Sequence, residues 1–354
     1  MLKLVKKQFR STLLGFLYLR CKRFRKQSLD GFVNRHFDSG ASDQNALKRS
    51  MFLCYLFGGV RYSDYYLMRF EEKSLKEKMK FVPRAAELNL YAQVNDHKYI
   101  QLLEDKGECY ELFKQYYNRD LVKVSVDDIA NGKADGIVQP FLERHRAFII
   151  KPLNLYCGLG IKTMDSGAPG FGLHRLYVEY PKGFVLEELI SQSKEMSALH
   201  CNSVNTVRLV TVNYGDCIEV KWPFLRVGRG DAVVDNAGAG GIICAVDDMG
   251  KVIAAADESR HVFMEHPESK MPLVGFELPK WDELCELTKE MADKCPDCHI
   301  MGWDMAYTEK GWVVVECNYG PNLVMQFATN KGVRDDFVAV RKRLKAKRYG
   351  KFCM

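Results

Sequence analysis

The sequence predicts an α+β protein that begins with a mainly helical region. Residues 1–90 contain few turn signals, which favours helices. From Leu121 onward, short β-branched runs alternate with Gly, Pro, Asn and Asp, which favours strands joined by turns. Helices are also expected over 96–119 and 281–294. Strands and helices in this mixed order are typical of α+β proteins rather than of regular βαβ winding.

The expected strands are short, and the last two form a hairpin. We expect strands at 147–151, 160–164, 183–189, 206–212, 218–227, 242–246, 251–255, 301–308 and 312–318.

Composition places the chain among globular proteins. Of its 354 residues, 47% are apolar and 27% are charged, which excludes collagen-like, disordered and rod-like classes. The length suggests two or three domains. No run of about 18 apolar residues occurs, so no membrane-spanning helix is expected. Twelve scattered cysteines and no export signal predict reduced thiols and a cytoplasmic location.

The basic charge is concentrated at the two ends. Residues 1–26 carry nine basic side chains and no acid, and residues 341–351 carry seven and no acid. The first segment has apolar residues at helical spacing: Leu2, Val5, Phe9, Leu13 and Phe16. Such a helix either lies on an anionic membrane surface, at the inner face, or packs on the body with a solvated basic face. No nucleic-acid-binding pattern accompanies either end, so no nucleic-acid partner is expected.

Residues 301–308 and 312–318 predict a hairpin near the carboxyl end. A three-residue loop that ends with Gly311 in the left-handed position would join the strands. In that register, Thr308 faces Trp312. Two positions further from the loop in each strand, side chains return to the same face of the sheet.

This register sets two acids against each other. Asp304 faces Glu316 directly, and Asn318 points to the same face. Opposed like charges are destabilising unless a cation lies between them, and carboxylate and amide oxygens suit Mg²⁺. The alternative is that the acids point into water, but the valines at 313–315 favour a central strand. A two-residue turn would instead oppose Asp304 to Cys317.

Other segments suggest an anionic ligand, although each signal is weak by itself. Lys151 ends an apolar strand and precedes Gly158 and Gly160, whose backbone amides suit phosphate oxygens. The strand around Glu187 interrupts its apolar residues with two acids and suits an adenine edge or an ordinary sheet edge. Arg208 suits bidentate binding of phosphate or carboxylate, and surface ion pairing is the alternative.

The order of these segments resembles the ATP-grasp superfamily, and most closely its sugar-transfer-associated family. The resemblance extends roughly from Val94 to Phe327. It rests on the segments NTVRLVT, VDNAGAGG, GWDMAYT and VVVECNYGPNLVMQ. The stretch from Arg226 through Asn236 to Gly240-Gly241 is also similar to that of ribosomal-protein glutamate ligases.

The resemblance implies two α+β lobes that grip ATP behind the helical region of residues 1–90. The small lobe with a glycine lid loop would span 91–190, and the large lobe with the metal-binding hairpin would span 191–335. A basic tail would follow over 336–354.

The resemblance also implies roles for individual residues. ATP contacts are implied for Lys98, Lys151, Gly158, Gly160, Glu187, Glu188, Leu189, Ile190, Gln192 and Glu195. In this set the lysines meet phosphates, the glycines form the lid loop, residues 187–190 line the adenine, and Glu188, Gln192 or Glu195 lies near the ribose. Mg²⁺ ligands are implied at Asp304, Glu316 and Asn318, and catalytic roles at Arg208, Arg226 and Asn236.

The implied chemistry is ATP-dependent joining of a carboxylate to an amine through an acyl phosphate. The two arginines would face the γ-phosphate or the acyl group, and the substrates would belong to a sugar or a polysaccharide precursor. Two alternatives stay open: a kinase on the same scaffold, and a non-catalytic adaptor at a membrane surface.

Overall fold

The computed structural model describes residues 29–37, 43–153, 159–232, 235, 238 and 240–350, with backbone alone for 347–350. The amphipathic helix predicted over 1–26, and the predicted site residues Gly158 and Asn236, lie outside this range. The chain divides into two compact units. The first comprises Met1–Gln93 and Asn322–Met354, and the second comprises Val94–Pro321.

The described part of the first unit is helical, as the sequence predicts. Its α-helices are α1 (Leu29–His36), α2 (Gln44–Leu53), α3 (Tyr62–Leu67), α4 (Leu75–Lys78), α5 (Arg84–Val94), α13 (Met325–Thr329) and α14 (Arg334–Gly350). A π-helical turn, Cys54–Gly58, extends α2, and a 3₁₀ turn covers Phe70–Glu72. The largest side chains of its core are aromatic, with Tyr65, Phe70 and Phe81 buried together.

The predicted basic tail falls largely within α14. Three of its apolar residues, Phe337, Val340 and Leu344, are buried. Their spacing of three and four places them on one face of the helix. Residues 336–350 are therefore part of a helix whose apolar face is packed.

The second unit contains the strands and the remaining helices. The helices are α6 (His97–Glu104), α7 (Lys106–Tyr117), α8 (Val126–Ala130), α9 (Ala134–Arg144), α10 (Leu173–Glu179), α11 (Lys194–Leu199) and α12 (Trp281–Asp293). The strands are β1 (Leu121–Val124), β2 (Ala147–Pro152), β3 (Lys162–Asp165), β4 (Phe184–Glu188), β5 (Thr206–Asn213), β6 (Ile218–Val227), β7 (Ile242–Val246), β8 (Val252–Ala256), β9 (Ile300–Thr308) and β10 (Gly311–Asn318).

Two antiparallel sheets organise this unit. The first has the order β1-β4-β2-β3, and the second has the order β10-β9-β5-β6-β7-β8. Helices α9 and α10 contribute to the core of the first sheet, where Phe141, Phe148 and Phe184 are fully buried. Helices α7 and α12 contribute to the core of the second, around Trp303. The α+β class is thus confirmed.

The helix predicted over 96–119 is divided by Asp105. This residue has extended backbone angles and ends α6. Its carboxylate then accepts hydrogen bonds from the amides of Gly107 (2.9 Å) and Glu108 (3.1 Å), and so caps the start of α7. The division matters for the cavity described below, because it sets Lys106 in the first turn of α7.

The hairpin of β9 and β10 differs from the prediction at its turn. Gly311 pairs with Thr308, so the loop has two residues and not three. A two-residue loop alone would pair Asp304 with Val315, rather than with Cys317 as predicted. A β-bulge at Val315 shifts the register by one residue, and Asp304 pairs with Glu316. The predicted opposition of the two acids is therefore confirmed, although the predicted loop was wrong.

Among the described residues, no helix is both long and apolar enough to cross a bilayer.

Candidate functional site

A cavity of about 560 Å³ lies within the second unit, where the ends of β2, β4 and β10 converge. Apolar side chains such as Ile149, Ile161 and Leu189 line one part of it. Charged side chains line another part: Lys106, Lys151, Glu187, Arg226, Asp235, Asp304 and Glu316. A cavity that joins an apolar wall to converging charges is typical of a small-molecule site.

Asp304 is the most enclosed acid of this cavity. It pairs with Arg208 of β5 on one side and with Glu316 of β10 on the other. The Arg208 guanidinium donates to both carboxylate oxygens, with Nη2–Oδ2 at 2.6 Å. Arg226 Nη2 lies 3.0 Å from the same Oδ2. Burial alone would raise the pKa of Asp304, but these two arginines outweigh it and hold the pKa below its usual value.

Glu316 has the opposite environment. Its side chain is exposed to the cavity, and none of the described residues donates a hydrogen bond to it. Surrounding protein and the neighbouring Asp304 charge both raise the pKa of Glu316. The predicted need for a cation between the opposed acids is therefore met partly by the two arginines, which contact Asp304 directly, whereas Glu316 feels the charges of Lys151, Arg208 and Arg226 without a hydrogen bond from any of them.

Thr206 and Asp235 hold Arg226 in place. The Thr206 hydroxyl accepts from Arg226 Nε (2.9 Å) and Nη2 (2.7 Å) and donates to Asp235. The Thr206 amide also donates to Asp235 Oδ2 at 2.9 Å. Burial lowers the pKa of Arg226, but Asp235 and Asp304 outweigh it and keep this guanidinium charged. Thr206 is paired with Arg226 across β5 and β6, so strand register itself sets this contact.

Gly302 lets Pro321 pack closely against β9. A Cβ atom at this position would lie 2.8 Å from Pro321 and 3.4 Å from Cδ of Arg208. The first distance is too short for carbon atoms in proteins, so a side chain here would displace its neighbours.

Lys151 is fixed at the cavity wall by Glu187. Its Nζ lies 2.7 Å from Glu187 Oε1, and both side chains are nearly buried. Arg119 Nη2 lies 2.9 Å from the other oxygen of Glu187, and Arg119 Nη1 donates to the Val314 carbonyl at 2.5 Å. Burial would raise the pKa of Glu187, but Lys151 and Arg119 outweigh it and lower the pKa. Arg119 thereby links β4 to β10 one residue before the bulge.

The predicted nucleotide lysine Lys98 does not line the cavity. It is exposed, and its Nζ pairs with Asp297 at 2.9 Å. Lys106 lines the cavity instead. Burial lowers its pKa, which the charges of Glu316 and Glu187 partly offset. Sequence spacing missed this lysine because the break at Asp105, and not the start of α6, sets which lysine faces inward.

The residues predicted to lie near the adenine and the ribose line the cavity, with the exception of one ribose candidate. Glu188, Leu189, Ile190 and Gln192 all line it, whereas Glu195 is exposed in α11 away from it. The Gln192 side-chain amide is hydrogen-bonded within the protein. Its Nε2 donates to the carbonyls of His200 and Ser203. Its Oε1 accepts from the Asn205 amide, so Gln192 fastens the loop before β5.

The glycine loop lies beside the cavity in its described part. Gly160 has a φ of 73°, a left-handed value that favours glycine. Its neighbours Leu159 and Ile161 line the cavity, although Gly160 itself does not.

The cysteines form no metal site among the residues that the structure describes. Cys295 and Cys298 are buried free thiols, and no group of three or more His, Cys, Asp or Glu side chains could hold a metal ion. Cys109 and Cys317 line the cavity beside Glu316. Burial is the main cause that raises the pKa of Cys317, which keeps this thiol protonated and unreactive.

The predicted magnesium ligands nevertheless suit a cation shared with a substrate. Glu316 is a carboxylate with no donor among the described residues, and Asn318 lies beside Asp304, with Nδ2 at 3.5 Å from Oδ2. Mg²⁺ is commonly held by one or two carboxylates together with substrate phosphates, which does not require a cluster of three acids. Glu316 fits this role directly, whereas Asp304 fits only after an arginine contact is released.

The sequence missed three residues of this site: Arg119, Asp235 and Lys106. Arg119 follows a helix and precedes a strand in a stretch with no motif. Asp235 stands in the quoted segment VDNAGAGG, so that motif did carry its signal. Arg119 reaches Glu187, and Asp235 reaches Thr206, only in the folded chain, so spacing along the sequence does not reveal these contacts.

Comparison with solved structures finds D-alanine–D-alanine ligase from Helicobacter pylori, 15% identical with a TM-score of 0.41, covering 69% of this chain and 60% of that one. It also finds the ATP-grasp ligase PsnB complexed with minimal precursor, Mg and ADP, 13% identical with a TM-score of 0.42, covering 78% of this chain and 72% of that one. The chain thus spans less than two thirds of the length of the Helicobacter enzyme.

A comparison with curated proteins gives no match. The family model described as "Sugar-transfer associated ATP-grasp" matches residues 172–342, which include β4 to β10 and the residues Arg208, Arg226, Asp304 and Glu316. Residues 172–342 of this chain are therefore similar to the sugar-transfer associated ATP-grasp family.

Proposed function

We propose that this chain is an ATP-dependent ligase that joins a carboxylate to an amine and releases ADP. The observation that carries the proposal is the convergence of Lys106, Lys151 and Arg226 with Asp304 and Glu316 at one cavity. The cavity has cations and a pair of carboxylates at one end and apolar side chains at the other. This arrangement suits a nucleoside polyphosphate, with its phosphates at the charged end and its base at the apolar end. The similarity of residues 172–342 to an ATP-grasp family supports ATP as that ligand.

The proposed reaction has two steps. The substrate carboxylate attacks the γ-phosphorus of ATP, the bond to the ADP oxygen breaks, and an acyl phosphate forms. The amine nitrogen then attacks the acyl carbon, phosphate leaves, and the nitrogen loses a proton to give the amide. Transfer of this kind needs positioning and charge neutralisation more than covalent help from the protein.

The side chains of the cavity match that need. Lys151, oriented by Glu187, and Lys106 present ammonium groups to phosphate oxygens. Arg226, held by Thr206 and Asp235, presents a guanidinium that suits a carboxylate or the transferred phosphoryl group. Because Arg226 is already fixed before any ligand binds, little reorganisation is needed when charge develops.

Magnesium would be held by Glu316, with Asp304 and Asn318 as further oxygen donors, and would neutralise phosphate oxygens when bound. The Glu316 carboxylate supports this assignment, because it faces the cavity and accepts no hydrogen bond from the described residues. Glu316 must be ionised to serve, and a neighbouring cation would favour its ionised form.

We further propose that the acid or the amine belongs to a sugar, a sugar nucleotide or a growing polysaccharide. The description of the matched family supports this substrate class.

Hydroxylamine trapping tests the proposal. The chain is incubated with ATP, Mg²⁺, candidate sugar acids and hydroxylamine, and the hydroxamate and ADP are measured. A hydroxamate that forms only with ATP and an acid is the expected result, and Glu316→Gln serves as the inactive control. A stable phosphorylated alcohol would instead identify a kinase.

The nucleotide step can be tested separately by thermal unfolding. We expect ATP with Mg²⁺ to raise the melting temperature, because a ligand at 100 times its Kd stabilises a protein by about 2.7 kcal/mol. No shift at millimolar ATP would contradict both enzymatic assignments and favour the non-catalytic adaptor.

A further inference from the structure

We infer that the first unit carries a docking surface for an anionic lipid bilayer, formed by α2, the π-helical turn after it, and α4. The occupant is a membrane surface, and the surface is distinct from the amphipathic segment predicted at residues 1–26. It is also independent of the cavity in the second unit and of the function proposed for it.

Four large apolar side chains are exposed on this surface. Leu53, Phe57, Leu75 and Met79, here called the apolar patch, are 42%, 69%, 74% and 56% exposed. Leu53 and Leu75 line the same shallow hollow of about 300 Å³, together with Ala46. Phe57 and Met79 follow four residues after Leu53 and Leu75, and Met79 continues the helical hydrogen bonding of α4. Contiguous exposed apolar side chains mark an interaction surface, whereas isolated ones do not.

Basic side chains surround the apolar patch. Arg49 lines the hollow and is exposed, and Lys76 and Lys80 are exposed beside Leu75 and Met79. Glu77 is the acid in the middle of α4, and its carboxylate is used to cap that helix at Ser74, with Oε2 accepting from the amide at 2.7 Å. An apolar patch inside a basic rim suits the boundary between acyl chains and anionic headgroups.

The net charge of the first unit also favours an anionic membrane surface. Its described residues contain 18 lysines and arginines against 9 acids, a net charge of +9. The sequence before residue 29 adds nine more basic side chains and no acid. The second unit, Val94–Pro321, has 24 basic residues against 35 acids, a net charge of −11. An anionic surface would thus attract the first unit and repel the second.

A bilayer fits this surface better than a nucleic acid does. Binding to phosphate backbones uses basic side chains, with aromatic rings where bases stack. The apolar patch is mainly aliphatic, and leucine and methionine side chains gain free energy by leaving water rather than by stacking. Insertion of the apolar patch accounts for both the exposed aliphatic groups and the surrounding charge.

Vesicle co-sedimentation of the full chain tests the inference. We expect binding to vesicles of equal parts phosphatidylcholine and phosphatidylglycerol, and weaker binding to phosphatidylcholine alone. The double variant Phe57→Ser with Leu75→Ser should bind the anionic vesicles at least about tenfold more weakly than the unchanged chain, because burial of both side chains is lost. The matched control is Val178→Ser with Met249→Ser, which changes side chains that are 66% and 80% exposed in the second unit, and should bind as the unchanged chain does.

A spectroscopic variant locates the contact. Tryptophan in Phe57→Trp should be quenched by brominated acyl chains when vesicles are added, whereas tryptophan in Val178→Trp should not. Circular dichroism of every variant checks that the fold is kept. Three outcomes would overturn the inference: no binding of the unchanged chain to anionic vesicles, equal binding by the Phe57→Ser, Leu75→Ser variant, or binding to duplex nucleic acid but not to vesicles.

Discussion

Two carboxylates of the cavity, Glu187 and Glu316, show how differently the same side chain is used. Glu187 lies between Lys151 and Arg119, both at 2.7–2.9 Å, and its pKa is lowered. Glu316 accepts no hydrogen bond from the described residues, and the surrounding protein and the charge of Asp304 raise its pKa. The comparison indicates that Glu187 maintains the architecture of the cavity, and it supports the proposal that Glu316 binds a ligand.

The comparison of Glu316 with Asp304 teaches a related point. These acids are directly paired across β9 and β10, yet both guanidinium contacts go to Asp304. Arg208 and Arg226 neutralise the buried Asp304 carboxylate by themselves. An acid pair on a sheet is therefore not by itself proof of a metal site. The acid that accepts no hydrogen bond from the described residues, Glu316, is the stronger indication.

The largest expected effect is that of Glu316→Gln on turnover. The variant keeps the shape of the side chain but loses the charge that would hold Mg²⁺, so ATP-dependent hydroxamate formation should fall by about 10³-fold or more. Without nucleotide the variant should be at least as stable as the unchanged chain, since repulsion from Asp304 is removed. Thermal denaturation without nucleotide measures this, and a melting temperature lowered by many degrees would contradict the role given to Glu316.

Arg119→Met should cost the most stability. The change leaves Glu187 with one cation and leaves the Val314 carbonyl without its donor, and breaking a buried ion pair costs about 3 kcal/mol or more. Urea denaturation measures the difference. The matched control is Arg144→Met, because Arg144 makes a half-exposed ion pair with Asp120 that is worth about 0–1 kcal/mol. Equal losses of unfolding free energy in the two variants would mean that the ion pair of Arg119 with Glu187 contributes no more than an exposed one.

Lys106→Met and Lys98→Met separate the two nucleotide-lysine candidates. Loss of a charge-assisted phosphate contact should weaken ATP binding about tenfold or more in the Lys106 variant. The Lys98 variant should bind ATP normally, since that lysine pairs with Asp297 outside the cavity. Isothermal titration calorimetry decides between them, and the reverse order of affinities would restore the prediction made from the sequence.

The smallest effect is a pH dependence that sharpens the contrast between the acids. The pKa of Glu316 is raised in the folded protein. Its contribution to the free energy of unfolding is therefore fully present below the usual glutamate pKa of 4.5 and is lost as pH rises through the pKa of the folded state. Glu316→Gln should therefore gain stability relative to the unchanged chain as pH rises above about 4.5, by about 1 kcal/mol. Glu187 has a lowered pKa, so Glu187→Gln should show the opposite sign, losing relative stability as pH rises from acid. Melting temperatures across this pH range give both curves.

The sequence predicted the site best where one strand pair carries it. Asp304, Glu316 and Asn318 were found because they share a hairpin, in which a period of two and one turn set the register. The prediction survived a wrong loop length only because the bulge at Val315 compensated for it. A bulge leaves little trace in a run of three valines, so its position was not readable from the sequence.

Contacts that depend on the order of strands in the sheet were harder to predict from the sequence. Arg208 and Arg226 both contact Asp304, and this shared contact depends on β9, β5 and β6 being neighbours in one sheet. Lys98 was chosen from the resemblance alone, whereas Lys106 lines the cavity in the first turn of α7, whose start depends on the backbone angles and capping carboxylate of Asp105.

The sequence by itself determined the α+β class, the alternation of strands and turns, the opposed acids, and the basic charge at the ends of the chain. These features depend on residues that are close in sequence, where periodicity, turn chemistry and composition act directly. Only the tertiary structure decided which acid is neutralised, which lysine faces the cavity, and which apolar side chains stay exposed on the first unit. Those outcomes depend on distances between distant segments, because burial and charge pairing are properties of the packed chain.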